Sequence, residues 1–454
     1  MIFLYMRLHK LILMFLLGLP CLLCSVAYGQ TGDSNKVLSN ASLQEIINYA
    51  LVNKPGVKQS LIDEEIGERD IMSALSGWFP QIKGDANYNY NLKQQVSTLT
   101  MNGETSLLVL GTKHTSAFTL QADQKFLDAG LIQASKASKY YRQQYKQSTE
   151  NAKINTVVSV SKAYFDVLTS KEQLKIIGEN IARLEKQLKD AKAQYENGLV
   201  DKTDYQRAQI SLSNSKADKK RAEELIKYKY TYLKELIGYG GDKDFSLNFD
   251  AVKMENEILI DTNQRETYEN RVEYRLLQTQ KQLQHLNTSY NKWSFLPSIS
   301  GFINYNWNYL NNNFGDLYDT NYPSSLLGLK LSLPIFQGTK RIQELRKSQL
   351  QELRIDLDLA NARNQIKSQY EQAMATYKAN LNDWKTAGAN VEISRQVYQT
   401  IKLQYDEGIK AYLDLMTSET DLRTAQLNYL NSLYSLLSSR LDVQQALGTI
   451  TVNQ

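Results

Sequence analysis

The side chains that most often carry out catalysis or bind metals are scarce in this chain. Its 454 residues include three histidines and two cysteines: His9, His114, His285, Cys21 and Cys24. Their positions do not match the spacing of a zinc site or of a nucleophilic centre. The glycine-rich segment 238–241 lacks the lysine and the serine or threonine that complete a phosphate-binding loop. The sequence therefore predicts no catalytic residues, no cofactor and no metal, and so no enzyme.

The first 29 residues are typical of a secretory signal peptide. A short basic region precedes the apolar run Leu11–Leu19, and small residues ending at Gly29 offer a cleavage site. A membrane helix is one alternative, although the apolar run is short for a bilayer span. A lipidated Cys24 is another, although Leu23 stands where a lipobox has a small residue. Both cysteines lie in this leader, so we expect the mature chain to be stabilised without disulfides.

Charge and proline placement exclude further classes. The chain has 53 basic and 48 acidic residues, a net charge of +5, which is too balanced to indicate a nucleic-acid partner. It has six prolines, and none lies between Pro80 and Pro297 or after Pro334. Because proline breaks a helix interior, these two tracts favour very long helices over several compact domains.

An internal repeat is the strongest sign of how the chain is organised. The segment Tyr195–Gly198 recurs as Tyr405–Gly408, and Asp204 recurs at the same spacing as Asp414. Each half predicts a helix, two strands, a very long helix, a tight turn and another helix. This divides the chain into a first repeat over 30–240 with a strand pair over 83–124, an equatorial linker over 241–262, and a second repeat over 263–454 with a strand pair over 299–334 and a C-terminal tail.

The long helices carry a coiled-coil pattern. Residues 131–196 contain no proline and predict one unbroken helix. Apolar and small residues step by three and four in both halves, as coiled coils require: Ile181, Leu184, Leu188, Ala191 and Tyr195 in the first half, and Val391, Ser394, Tyr398, Ile401 and Tyr405 in the second. Gly198 and Gly408 stand where each helix should end.

The strands alternate strictly between apolar and polar residues, which indicates one apolar and one polar face. The polar positions are rich in asparagine, and the apolar face carries tyrosine and tryptophan near the segment ends, as in membrane barrels. We predict that the apolar face meets lipid. Its members are Tyr88, Tyr90, Leu92, Phe118, Leu120, Ile303, Tyr305, Trp307, Tyr309, Leu329, Leu331 and Leu333.

Lipid contact implies an oligomer. A sheet in hydrocarbon must close on itself, and the smallest known barrels have about eight strands, so four strands from one chain are too few. Several copies would each donate four strands, with residues 94–113 and 311–324 as exposed loops. The alternative is a small amphipathic sheet packed on a helix.

With these features, the sequence resembles the TolC-type outer-membrane efflux proteins of Gram-negative bacteria over about residues 40–450. The likeness rests on the duplicated plan, on strand pairs that follow Phe79-Pro80 and Leu296-Pro297, and on the two turns followed by Asp204 and Asp414. The segments Phe126–Gly130 and Pro334–Gly338 also resemble the strand-to-helix junctions of the family.

The resemblance implies a fold that is mainly α, with a membrane β-barrel part. Duplicated coiled-coil hairpins would form an α-barrel, and four transmembrane strands per chain would close as a twelve-stranded barrel in a homotrimer. The location implied is the cell outer membrane, with a periplasmic helical extension. The implied partners are outer-membrane lipid, a periplasmic adaptor protein, and an inner-membrane efflux pump or secretion transporter. The function implied is passive conduction, with opening by spreading of the hairpins.

The family's gate maps onto the second hairpin. Tyr405, Lys410 and Asp414 match gate positions, and Thr417 stands where a second aspartate is often found, which weakens any claim of a doubled acidic ring. An exposed helix cap is the alternative role for Asp414. The hairpin tips would contact the adaptor through Gly198, Leu199, Val200, Gly408 and Ile409, and a plain turn is the alternative there. A soluble periplasmic coiled-coil adaptor or structural protein remains the alternative function.

Overall fold

The computed structural model describes residues 40–101, 104–198, 201–240, 245–248, 258–262 and 264–452. The predicted signal peptide, Cys24, Leu199, Val200 and most of the predicted linker lie outside the described residues. The division into two repeats and a linker stays a prediction.

Most of the described chain is helical, and the two longest helices have matching lengths. The helices are α1 (Leu43–Asn53), α2 (Pro55–Leu75), α3 (Ala129–Glu196), α4 (Lys202–Ile237), α5 (Val272–Trp293), α6 (Lys340–Asp406) and α7 (Tyr412–Leu447). With 68 residues, α3 extends roughly 100 Å at 1.5 Å per residue. The prediction of an unbroken helix over 131–196 is therefore confirmed. Among the described residues, no helix is both long and apolar enough to cross a bilayer.

The helix ends follow from local side-chain chemistry. The Asp128 carboxylate accepts a hydrogen bond from the Leu131 amide at 3.0 Å and caps α3, and Asp201 caps α4 in the same way through the Thr203 amide at 3.0 Å. After α3 and α6 the chain turns at Gly198 and Gly408, whose φ angles of +72° and +79° favour glycine. The predicted ends of both long helices are confirmed.

The strands form one four-stranded antiparallel sheet and a separate hairpin. They are β1 (Gln81–Tyr90), β2 (Gln95–Met101), β3 (Glu104–Leu110), β4 (His114–Leu127), β5 (Ser298–Asn311) and β6 (Asn321–Ser332). The sheet order is β1-β4-β5-β6, so the two halves of the chain join where β4 pairs with β5. The edge strands within the described chain are β1 and β6.

The expectation of exposed loops between the paired strands is partly wrong. Residues 94–113 contain the hairpin of β2 and β3, in which Val96 lies opposite Val109. Alternating β-branched and apolar residues favour two strands there, and the pair Asn102-Gly103 between them is typical of a tight hairpin turn, so the local sequence favours this hairpin. In the second half β5 continues to Asn311 and β6 begins at Asn321, so the connection is shorter than expected.

The helices continue the order of the strands. Next to the sheet, α2 packs on α3, α3 on α5, and α5 on α6. These helices lead into or out of β1, β4, β5 and β6 respectively, so strands and helices form one continuous wall with α2 and β1 at one edge and α6 and β6 at the other. Farther along, α4 packs on α3, α3 on α7, and α7 on α6. This second part of the wall also has α6 at one edge.

The apolar core lies between these helices. Ile181, Leu184 and Ala191 of α3 are buried, and Leu188 packs beside them. The corresponding stripe of α6, from Val391 to Tyr405, is half-buried. The predicted coiled-coil face therefore lies against neighbouring helices in both hairpins, and it fixes how the hairpin tips are positioned.

Candidate channel wall and gate

The register of the sheet places the predicted lipid-facing residues on one face. In antiparallel pairs, residues directly opposite each other point to the same side. Phe118 lies opposite Trp307, and Leu120 lies opposite Tyr305. The rings of Phe118 and Trp307 are 5.3 Å apart. The same registers add Tyr88, Tyr90, Ile303, Tyr309, Leu329 and Leu331 to this face, which we call the apolar face.

Leu92 and Leu333 do not belong to the strands. Leu92 lies just after the end of β1, and Leu333 lies just after the end of β6. Both side chains are exposed. Period-two alternation extended the predicted strands past the last paired residues, because a pattern of side chains does not show where the backbone pairing stops.

On the opposite face of the sheet, polar side chains of neighbouring strands are hydrogen-bonded to one another. The Thr119 hydroxyl donates to the Asn306 amide oxygen at 2.7 Å, and the Asn306 amide donates to the Ser324 hydroxyl at 3.3 Å. Gln121 donates to the Asp123 carboxylate at 2.9 Å. A face of this composition suits contact with water, so the sheet has the two-sided chemistry of a membrane barrel wall.

Tyr405 links the two hairpin ends within the chain. Its hydroxyl donates to the Gln194 side-chain oxygen at 3.4 Å, and its ring lies 6.0 Å from the ring of Tyr412. Burial raises the pKa of the Tyr405 hydroxyl, and the nearby carboxylates of Asp204 and Asp190 raise it further. Burial likewise raises the pKa of Tyr412 to about 12. Tyr405 therefore stays protonated at neutral pH and can act as a hydrogen-bond donor.

The other predicted gate residues point to solvent. Lys410 and Asp414 are exposed, and neither side chain has a hydrogen-bond or ion-pair partner within the described chain. The Thr417 hydroxyl donates to the Leu413 carbonyl at 2.9 Å, a local helical bond. Asp414 lies in the first turn of α7, but Ala411 occupies the N-cap position. The structure thus places Asp414 where both a gate role and a helix-end role are possible.

The hairpin tips are exposed turns. The Ile409 amide donates to the Gln404 carbonyl at 2.8 Å, which closes the turn through Gly408, while the Ile409 side chain is 71% exposed. Gly198 occupies the corresponding place in the first hairpin. Their predicted contact with an adaptor stays a prediction.

One polar cluster was missed by the sequence argument. Glu419 lies on the buried stripe of α7, between Leu415 and Leu422, and its carboxylate accepts bonds from Asn180, Arg183 and Gln187 of α3. The sequence signal for this cluster was an acid, Glu419, four residues after Leu415 on the apolar stripe of α7. In the described part of the chain, no three His, Cys, Asp or Glu side chains come together as a metal site requires.

An amphipathic sheet that continues into long paired helical hairpins defines the channel-tunnel class of outer-membrane proteins. The sequence profile of the family described as outer membrane efflux protein matches residues 46–239 and 270–449. The chain therefore belongs to the outer membrane efflux protein family, and the resemblance to TolC-type proteins is confirmed. It is an outer-membrane protein of the efflux channel type, with its helical portion in the periplasm.

Individual members of the family align with most of this chain. The outer membrane protein TolC of Vibrio cholerae is 23% identical, over 90% of this chain and 91% of its own length. TolC of Escherichia coli is 22% identical, over 90% and 82%. The crystal structure of the outer membrane protein VceC from Vibrio cholerae superimposes with a TM-score of 0.70 at 15% identity, over 89% of this chain and 96% of that one. These relatives are channel proteins rather than enzymes.

Proposed function

We propose that this chain is one protomer of a homotrimer that forms a channel-tunnel through the outer membrane and the periplasm. The channel conducts substrates passively from an inner-membrane efflux pump or secretion transporter, to which a periplasmic adaptor protein connects it. It opens when the periplasmic ends of the helical hairpins spread apart. The observation that carries this proposal is the amphipathic four-stranded sheet, whose two edge strands have no pairing partner within the described part of the chain.

Unpaired strand edges require partners in a membrane. Hydrocarbon offers no hydrogen-bond partner to the backbone groups along the free edges of β1 and β6, and each unsatisfied group there costs several kcal/mol. Four strands are about half of the smallest known barrel. Pairing β1 of one copy with β6 of the next removes every edge. Three copies, the number implied by the family resemblance, give a twelve-stranded barrel.

The edge helices support the same assembly. Exposed apolar residues at helical spacing lie on α2 at one edge of the wall, and a second set lies on α6 at the other edge. The sets are Leu61, Ile62, Ile66 and Met72, and Ile342, Leu350, Leu353 and Leu357. Exposed apolar stripes of this kind mark protein contacts. A neighbouring copy placed by the β1–β6 pairing would bring an α2 stripe against an α6 stripe.

A soluble periplasmic adaptor does not fit membership of an outer-membrane family. We expect the protein in isolated membranes to migrate as a compact oligomer on unheated detergent gels and to shift on heating, because closed barrels resist detergent unfolding. Alkaline washing should leave it in the membrane. Release by the alkaline wash, or the same gel mobility before and after heating, would contradict the trimeric barrel.

We further propose that Tyr405, Lys410, Asp414 and Thr417 line the closed periplasmic constriction. Lys410 and Asp414 point to solvent without side-chain partners among the described residues, which supports charge-assisted hydrogen bonds to neighbouring protomers. Three Asp414 carboxylates around one axis would make the constriction acidic. The exposed turns at 198–200 and 408–409 would then receive the adaptor, whose binding spreads the hairpins.

Asp414→Ala is expected to raise single-channel conductance severalfold in planar bilayers, because it removes both the carboxylates of the constriction and their bonds to neighbouring protomers. Glu196→Ala is the matched control. It removes the same charge from the exposed end of α3 on the first hairpin, where the Glu196 carboxylate pairs with Lys192 of its own helix at 3.8 Å. This variant should conduct as the unmodified protein does. A conductance unchanged in Asp414→Ala would leave Asp414 with its helix-end role alone.

A further inference from the structure

The buried carboxylate of Glu419 is held by three donors from a different hairpin. Its side chain is 3% exposed. Arg183 Nε donates to one carboxylate oxygen at 2.8 Å, and Asn180 Nδ2 donates to the same oxygen at 3.1 Å. Gln187 Nε2 donates to the other oxygen at 2.6 Å. The three donors lie on one face of α3 because they are spaced by three and four residues.

The cluster reaches the two remaining helices as well. Ser215 of α4 donates its hydroxyl to the Asn180 side-chain oxygen at 3.1 Å. The Arg183 guanidinium lies 6.0 Å from the ring centre of Tyr398 of α6, within range of a cation–π contact. Burial raises the pKa of the Tyr398 hydroxyl, and the Glu419 charge raises it further. All four hairpin helices therefore meet around this one carboxylate.

The position of Glu419 connects the cluster to the constriction. Glu419 lies two turns into α7, beyond Asp414 and Thr417, so the start of α7 is held against α3 just behind the proposed gate residues. The other described side-chain bonds between α3 and α7 lie farther from the tips and involve solvent-accessible groups, as in the 2.6 Å pair of Lys162 with Asp442. Solvent-accessible pairs contribute little, whereas a buried charge stripped of its partners is strongly unfavourable.

We propose that Glu419 is a latch that holds the second hairpin on the first, so that spreading the hairpins requires its carboxylate to leave the three donors of α3. The inference rests on the helix-spreading mechanism proposed above. It assigns a second restraint that acts within each protomer, in addition to the contacts between protomers at Lys410 and Asp414. Glu419 acts by positioning the start of α7 and does not line the channel.

The first test is Glu419→Gln, which keeps the shape of the side chain and removes its charge. Charge-assisted hydrogen bonds are roughly twice as strong as neutral ones. We expect the variant to spend about tenfold more time in the open state, a shift that corresponds to about 1.4 kcal/mol. The control is Glu392→Gln, because Glu392 of α6 is exposed and its carboxylate accepts bonds from neighbours on its own helix, Arg395 at 2.9 Å and Gln396 at 3.0 Å. That variant should behave as the unmodified protein does.

A charge exchange separates a latch from a general loss of packing. The double variant Arg183→Glu with Glu419→Arg reverses the ion pair. Asn180 and Gln187 carry amides, which can accept hydrogen bonds as well as donate them, so they can bond an arginine in place of the carboxylate. We expect the exchange to restore a large part of the closed-state occupancy lost in Glu419→Gln. An exchanged variant that stays as open as Glu419→Gln would contradict the latch.

Hydrogen exchange in detergent gives a readout that does not depend on conduction. Amides over 412–422 should exchange about tenfold faster in Glu419→Gln than in the unmodified protein or in Glu392→Gln, because local opening governs their protection. Unchanged exchange and unchanged gating in an intact Glu419→Gln oligomer would overturn the latch. The two proposals can also fail separately. If the unmodified protein conducts no ions and Glu419→Gln still accelerates exchange, the proposed channel is wrong and the latch between the hairpins stands.

Discussion

Leu327→Arg is expected to prevent assembly in the outer membrane, whereas Leu326→Arg is expected to leave assembly largely intact. The two leucines are adjacent in the middle of β6, and both are exposed in the single chain, at 76% and 56%. Leu327 lies opposite Ile303 on the apolar face, and Leu326 lies opposite Asn304 on the polar face. An arginine facing lipid at the bilayer midplane costs about 2–4 kcal/mol per chain. Three protomers would multiply that cost in the proposed trimer.

The comparison of Leu327→Arg with Leu326→Arg isolates the direction of the side chain, since residue type, strand and depth are nearly the same. The measurement is the amount of heat-modifiable oligomer recovered from outer membranes after equal expression. In a soluble sheet both substitutions would replace an exposed leucine and should be tolerated alike. Equal recovery of the two variants would therefore count against a lipid-facing role for the apolar face.

Gly448→Ala is expected to lower the free energy of unfolding by about 2–5 kcal/mol, whereas Gly408→Ala should lower it by about 1–2 kcal/mol. Both glycines have a positive φ, +68° and +79°, and left-handed backbone costs other residues about 1–2 kcal/mol. At Gly448 an added Cβ would also lie 2.8 Å from the backbone of Asn270, and such overpacking costs about 1–3 kcal/mol. Nothing lies within 4 Å of a Cβ at Gly408.

The pair Gly448→Ala and Gly408→Ala separates backbone conformation from close packing. The measurement is thermal or denaturant unfolding followed by circular dichroism, with the same detergent for every variant. The first-repeat counterpart, Gly238, should respond as Gly448 does, because its Cβ would lie 2.6 Å from the Asn53 carbonyl. Similar destabilisation of Gly448→Ala and Gly408→Ala would mean that the contact with Asn270 is relieved by a small backbone shift.

The two close contacts also explain the repeat in physical terms. Gly238 ends α4 against the chain between α1 and α2, and Gly448 ends α7 against the chain just before α5. In each half of the chain, the end of the last helix therefore packs on the backbone at the start of an earlier helix: α4 packs at the start of α2, and α7 packs at the start of α5. Gly238 and Gly448 are separated by the same spacing as Gly198 and Gly408, but the backbone that each one contacts is visible only in the folded chain.

Local patterns were sufficient to predict the long helices and the four strands of the main sheet. Proline-free tracts and steps of three and four predicted the long helices, because a helix depends mainly on residues within four positions of one another. Strict alternation predicted which side chains of β1, β4, β5 and β6 share a face, because successive side chains in a strand point to opposite sides. The same pattern could not mark the strand ends, so Leu92 and Leu333 were wrongly included.

The sequence by itself determined the duplicated plan, the long helices and their glycine ends, and the apolar face of the sheet, since each depends on near neighbours in the chain. Only the tertiary structure decided that β4 pairs with β5 across the repeats and that Glu419 meets three donors of α3. Those features join residues far apart in sequence, and an acid such as Glu419 on an apolar stripe has no explanation until the helix opposite supplies its partners.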